Sequence, residues 1–282
     1  MTSDVSARPR VGHIQFLNCL PLYEGLVRSG ALLDIDLFKD TPDRLNDALL
    51  AGELDIGPIS LVPALQHSDE LVILPGLAVG SDGPVLSVVL AGTRPPEELD
   101  GALVALGSTS RTSVLLARIL FEQRYGVHPR YEEMPPDLTA MLREADAAVL
   151  IGDVALRATH DAAGLGLHLT DLGAAWQSWT GLPMVFAVWA ARREYAEAHP
   201  GLLKGVHEAF TASLEDSLAR VEEVAARAAR WESFDAPTLA TYFRTLDFSL
   251  GPRQLQGVAG FAAKAAELGA VPAGAALHLA DL

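Results

Sequence analysis

The sequence predicts an α/β protein of two lobes with a ligand cleft between them. Three observations carry that expectation. The chain has 282 residues, half of them hydrophobic and a fifth charged, enough apolar surface for more than one core. Short apolar runs alternate with helical segments in its first third, and the same order returns after residue 100. Between the two units, near Gly92–Asp100, TRPPEELDG breaks the pattern with proline and charge.

The elements follow in order. Arg10–Ile14 reads as a strand, and QFLNCLPL leads from it into a helix near Tyr23–Arg28. Asp34–Phe38 alternates as a strand does. Thr41 and Pro42 make a helix start, an N-cap followed by proline at the first helical position. Leu45, Leu49 and Leu50 share one face of that helix, and Gly52 stops it. Leu54–Gly57 is the third strand. Strand and helix alternating at this spacing imply a parallel sheet with right-handed crossovers. Pro84–Gly92 is apolar enough for a buried strand.

The second unit repeats the topology without repeating the residues. Ala102–Leu106 is a strand, and Ser110–Tyr125 a helix with Val114, Leu115, Ile119 and Leu120 inward. Arg130–Glu133 is a weaker strand, Pro136–Arg143 a helix and Ala147–Ile151 a buried strand. The chain then returns through a strand at Pro183–Ala190. Val206, Phe210, Leu214 and Leu218 recur every four residues, the apolar stripe of a helical tail that must pack on an existing lobe, expected to be the first. The expected lobes are 1–91 with 186–282, and 92–185, with hinges near Leu90–Arg94 and Pro183–Phe186.

Charge and motif content narrow the function. The formal net charge of −15 repels nucleic-acid phosphates and anionic lipid. An anion site must therefore be built locally. The single cysteine, Cys19, leaves no intramolecular disulfide and fits a reducing compartment. No signal-like apolar stretch opens the chain and no run of 18 apolar residues occurs, so a cytoplasmic protein without a membrane span is expected. It is expected to be a monomer or homodimer, without a nucleic-acid partner. The eight histidines are scattered, so no metal site is expected. Dinucleotide, Walker-type and Gly-x-Ser-x-Gly patterns are missing.

In open α/β sheets, ligands bind beyond the carboxyl ends of the parallel strands. Those ends carry Gln15, Asn18 and Cys19; Pro58, Ile59 and Ser60; Gly107–Arg111; and Gly152 with Asp153. Gly107–Arg111 is the most informative. Ser108, Thr109 and Ser110 put three hydroxyls beside the free N–H groups of a helix start, which suits a carboxylate or phosphate. Plain N-capping explains the same residues. Arg111 sits one position into the helix and is expected to point away. From the residues alone, Asn18 reads first as a turn residue, Ser87 as a strand hydroxyl bonded to backbone, and Asp153 first as a cap for Val154–Ala158. In DLGAAWQSWTGLP, Trp176 and Trp179 read first as core, with Thr180 and Gly181 as further candidates on the binding side.

GHIQFLNCLPL, LDIGPIS, GSTSRTSVLL, LIGDVAL and DLGAAWQSWTGLPMVFAVW, taken together and in order, resemble chorismate dehydratase, the first enzyme of the futalosine route to menaquinone. The resemblance runs from about Val11 into the C-terminal helices. The chain is also similar to the enzyme of that route that makes 1,4-dihydroxy-6-naphthoate, but the Asn-Cys-Leu-Pro loop fits the dehydratase better. The resemblance implies the type II periplasmic-binding-protein fold. It implies conversion of chorismate to 3-[(1-carboxyvinyl)oxy]benzoate with loss of water, and no metal or organic cofactor. The family's site pattern falls on Asn18, Ser60, Ser87, Ser108, Thr109, Ser110 and Asp153, with Asn18 and Ser87 in the catalytic roles. The proton acceptor is expected to be the substrate's own enolpyruvyl carboxylate, with Asp153 as its rival. A non-catalytic carboxylate-binding protein would share the fold and the anion site.

Overall fold

The computed structural model describes residues 8–108 and 110–282. Its strands form two five-stranded sheets. The first unit runs β1 (Arg10–Ile14), α1 (Leu20–Ser29), β2 (Asp36–Asp40), α2 (Pro42–Leu50), β3 (Ile56–Ser60), α3 (Leu61–Gln66) and β4 (Leu71–Ser81). The second runs β5 (Val88–Gly92), β6 (Leu103–Gly107), α4 (Arg111–Ile119), β7 (Arg130–Met134), α5 (Leu138–Glu144), β8 (Ala147–Ile151), α6 (Gly152–Leu165), β9 (His168–Asp171) and α7 (Leu172–Thr180). The chain then returns through β10 (Met184–Arg192) into α8 (Arg193–Ala198), α9 (Pro200–Ala219), α10 (Val221–Ala228), α11 (Ala236–Thr245) and α12 (Pro252–Glu267).

The sheet orders are β2-β1-β3-β10-β4 and β7-β6-β8-β5-β9. Each has a parallel core, β2-β1-β3 or β7-β6-β8. Each is completed by an antiparallel strand at the same place, β10 beside β3 or β5 beside β8. The expected repeat of topology is present, but neither sheet is parallel throughout.

The expected crossing at 91/92 needs correction. β5 pairs along its whole length with β8 and β9, so the chain leaves the first sheet after Ser81 and enters the second at Val88. The return agrees better, because Met184 already pairs with Ser81 of β4. Two strands, β4 and β9, were not expected. The third strand begins at Ile56 rather than Leu54, just after Asp55, whose carboxylate accepts the Arg10 N–H at 2.9 Å and the Arg10 guanidinium at 2.6 Å. The expected helix over Ser110–Tyr125 is α4 continued by a π-turn at Leu120–Tyr125.

The helical tail packs on the first unit through α9, while α12 also meets α4 and α7 of the second. Ser213 of α9 donates to the Leu22 carbonyl at 2.6 Å and accepts the Leu26 N–H at 3.0 Å. Gly25 permits that approach, since a Cβ there would lie 2.7 Å from the Ser213 backbone. Val206, Phe210 and Leu214 are buried as the stripe predicts, but Leu218 is 39% exposed. Asp247 bridges to Gly80 of β4. Among the described residues no helix is long and apolar enough to cross a membrane.

Candidate active site

A small cavity of about 40 Å³ lies between the two sheets. It forms where Ile14 ends β1, Ser60 ends β3 and Ile151 ends β8, with Ser110 just ahead of α4. These are the carboxyl ends of parallel strands from both units, the place such folds reserve for ligands. Its polar lining is Asn18, Ser60, Ser87, Ser110 and Ser113, and its apolar walls include Phe16, Val85 and Phe186. Among the described residues, neither a carboxylate nor an imidazole lines it.

Asn18 sits in a single 3₁₀ turn, Leu17–Cys19, between β1 and α1. Its Oδ1 is buried and finds no hydrogen-bond partner among the described residues. A buried acceptor left unmet is costly unless a ligand supplies the donor. Cys19 is fully buried beside it, and burial pushes its thiol far above the usual range, which leaves no thiolate nucleophile at neutral pH.

Ser60 is held by Asn46. The Asn46 side chain accepts the Ser60 N–H at 2.9 Å and donates to Ser60 Oγ at 3.2 Å. Asn46 is fully buried on α2, and nothing in its local sequence sets it apart from an ordinary helical polar residue. Ser87 is likewise buried and accepts the Tyr242 O–H at 2.7 Å.

Ser110 is the N-cap of α4, its Oγ accepting the Ser113 N–H at 3.2 Å. The plain capping reading therefore holds, and the residue lines the cavity as well. Ser108 does not line it. It opens onto a larger outer cavity of about 630 Å³ shared with Arg111 and Arg118, which Ser110 also borders. Thr109 lies outside the described residues. Arg111 points away, as expected, and spans the two units: Nε donates to Asp43 Oδ1 at 2.6 Å and Nη2 to Asp47 Oδ1 at 2.7 Å.

Gly152 lines the cavity; Asp153 beside it does not. Asp153 also does not cap α6. Its Oδ1 instead accepts the Leu17 N–H at 3.0 Å. Burial raises its pKa to about 6, with Glu232 adding to the rise and the Leu17 N–H opposing it. Gly152 has φ +67°, and a Cβ there would stand 2.9 Å from the Phe16 ring. Only glycine lets Phe16 close the cavity wall.

Neither Thr180 nor Gly181 lines the cavity. Thr180 donates to the Trp176 carbonyl and accepts the Leu182 N–H, and Gly181 is the left-handed cap of α7. Their polar groups close a helix end. Trp176 is core: it is fully buried, packs edge-on to Phe261 and donates to the Pro183 carbonyl.

Ser113, Phe16, Asn46 and Tyr242 went unrecognised in the sequence. Ser113 carried a usable signal, being one turn beyond Ser110 on the face of α4 that starts at the cleft. The others depend on contacts distant in the chain.

A family described as menaquinone biosynthesis matches residues 9–267. A chorismate dehydratase from Thermus thermophilus is 34% identical over 237 residues, 79% of this chain and 83% of its own length. A 1,4-dihydroxy-6-naphtoate synthase from the same organism is 30% identical over 181 residues, 64% of this chain and 63% of its own. A solved protein of Archaeoglobus fulgidus superposes with a TM-score of 0.73 at 20% identity, covering 95% of this chain and all of that one. The periplasmic aliphatic sulphonate binding protein of Escherichia coli does so with a TM-score of 0.64 at 19% identity, covering 94% and 93%. The fold is that of the periplasmic binding proteins, as the sequence resemblance implies.

Proposed function

The chain belongs to the menaquinone biosynthesis family, as a homologue of chorismate dehydratase, and on that premise we propose that it is a lyase converting chorismate to 3-[(1-carboxyvinyl)oxy]benzoate and water. The observation that carries the mechanism is the cavity lining: one amide and several hydroxyls, with no carboxylate or imidazole among the described residues.

Such a lining binds and orients. It has no group with the pKa of a general base near neutrality. The reaction breaks the C–H bond at the ether-bearing ring carbon and the C–O bond of the neighbouring hydroxyl. The C–H electron pair becomes the last double bond of an aromatic ring, so the overall step is strongly downhill. The proton goes to the substrate's enolpyruvyl carboxylate, held over the ring, which passes it to the departing hydroxyl, so that the two leave together as water.

Asn18 serves the reacting region. Its amide N–H can donate to the departing hydroxyl, while its unmet Oδ1 can accept a hydrogen bond from the substrate. Ser110, at the N-terminus of α4, offers one carboxylate a hydroxyl and helix N–H groups. Ser108, just ahead of it, extends that anion site toward the outer cavity. Ser60 and Ser87 hold the opposite side. Asp153 is not in contact with the cavity, and its Leu17 contact makes it a clasp between the units.

A cavity of about 40 Å³ is far below the roughly 300 Å³ of small ligand sites. Substrate therefore enters with the lobes apart, and closure removes water around the dianion. The lobes move about the two crossings, 82–84 and 181–183. Cytoplasmic action on a free metabolite, as monomer or homodimer, completes the reading.

The test is to incubate purified protein with chorismate and follow 3-[(1-carboxyvinyl)oxy]benzoate by mass spectrometry. Product formation is expected. Chorismate bound and returned unchanged would leave a carboxylate-binding protein in its place.

A further inference from the structure

Ser87 follows a strained turn. Leu86 is, among the described residues, the only non-glycine with a left-handed backbone, φ 64°, a conformation that persists only where surroundings enforce it. Here they do. The Asp171 carboxylate accepts the N–H groups of Val85 at 3.0 Å and Leu86 at 2.7 Å. Thr159 Oγ1 donates to the Leu86 carbonyl at 2.8 Å, and the Gly152 N–H donates to the Ser87 carbonyl at 2.8 Å. These contacts fix the Ser87 backbone but leave its hydroxyl proton free to rotate.

The direction of that proton is set from elsewhere. Tyr242, on α11 and fully buried, donates its O–H to Ser87 Oγ at 2.7 Å. Burial drives the phenol well above its usual pKa, so it keeps its proton, and Ser87 Oγ is the acceptor it reaches among the described residues. The other contact of the Ser87 hydroxyl among the described residues is the Val85 carbonyl at 3.4 Å, at the outer limit for a hydrogen bond. With Oγ already accepting, the Ser87 proton has the cavity as its remaining direction.

We infer that Tyr242 is a positioning residue that makes the Ser87 hydroxyl a hydrogen-bond donor toward the substrate. The inference rests on the dehydratase reading and extends it to a residue 155 positions from Ser87.

A double-mutant cycle tests it, with Tyr242→Phe, Ser87→Ala and the pair compared for kcat, KM, chorismate Kd and melting temperature. Tyr242→Phe should lower kcat/KM by about tenfold, one mispositioned hydrogen bond. Ser87→Ala should lower it by about a hundredfold. In the Ser87→Ala background, Tyr242→Phe should then change kcat/KM by less than about twofold, because the two act as one unit. Equal losses in both backgrounds would show a merely structural tyrosine and overturn the inference, as would a fully active Tyr242→Phe. If phenylalanine packs poorly, 4-fluorophenylalanine at 242 fills the space without an O–H, and the same tenfold loss is expected. A wild-type chain that binds chorismate without converting it overturns the dehydratase reading alone, and the same coupling is then expected in Kd. A chain that neither binds nor converts it overturns both.

Discussion

The backbone N–H of Leu17 donates to Oδ1 of Asp153 across the gap between the two sheets, at 3.0 Å. The bond joins the loop that carries Asn18 to the first turn of α6, and it holds a carboxylate in a largely buried place. The folded chain keeps the Asp153 proton up to a pKa of about 6, whereas an unfolded Asp releases it near 3.9. Between those values the folded state binds more protons, so this group's contribution to stability is full below about pH 4 and is lost as pH rises through 6. Asp153→Asn still offers Leu17 an acceptor but has no charge to bury. Its stability relative to wild type should rise by about 2–3 kcal/mol between pH 4 and pH 7, read from urea unfolding at the two pH values. A difference independent of pH would count against the buried clasp.

Asn18→Ala removes the amide beside the reacting region while leaving the anion contacts in place. We expect kcat to fall by about a hundredfold, the scale of losing one aligned transition-state donor, with chorismate Kd changed by less than about threefold. Steady-state kinetics with calorimetric binding checks both. A variant with wild-type kcat would remove Asn18 from the chemistry.

Asn46→Ala strips two hydrogen bonds from Ser60, whose buried N–H then has no partner. The cost should be about 1–3 kcal/mol of stability, seen as a lower unfolding midpoint, with a raised KM from the loosened Ser60 hydroxyl. Asn46→Asp keeps the acceptor for the Ser60 N–H but introduces a buried charge, and it should be less stable still at neutral pH. An Asn46→Ala protein as stable as wild type would mean that Ser60 repairs itself.

Arg111 bonds two carboxylates of α2 from the start of α4. The groups are half-exposed, so Arg111→Ala should cost less than about 1 kcal/mol of global stability. Its effect should appear in closure, with KM raised by about three- to tenfold at unchanged kcat. Because the pair is screened by salt, the rise of KM with ionic strength should be smaller in the variant. Identical KM and identical salt response would show that the pair does not bias closure.

What could be read from the sequence divides along a physical line. The parallel cores were legible because each strand and helix is specified locally, by apolar period and by caps such as Thr41-Pro42 and Ser110. The strand-end loops were legible for the same reason, and they brought Asn18, Ser60 and Ser110 together without any knowledge of contacts. β5 was recognised as a strand but assigned to the wrong sheet, because apolar runs say that a strand is buried and not which sheet buries it. Thr180 and Gly181 illustrate a different limit. Their loop borders the return strand, but hydroxyl and glycine there are consumed in ending α7. Tyr242 and Asn46 were invisible for want of any local signature: each is an ordinary helical residue until the fold sets it against a serine of the cavity.

β10 occupies the middle of the first sheet, between β3 and β4. Translation therefore completes the strands of the second sheet before those of the first. When Thr180 has left the ribosome, β5 to β9 are all present and can close their own sheet. β3 and β4, made earlier, still lack the strand that separates them. The first half must wait, with those strand edges unpaired, for Met184–Arg192 and the helices behind it. The nascent chain's exposure to aggregation or chaperone capture should thus concentrate in its oldest residues.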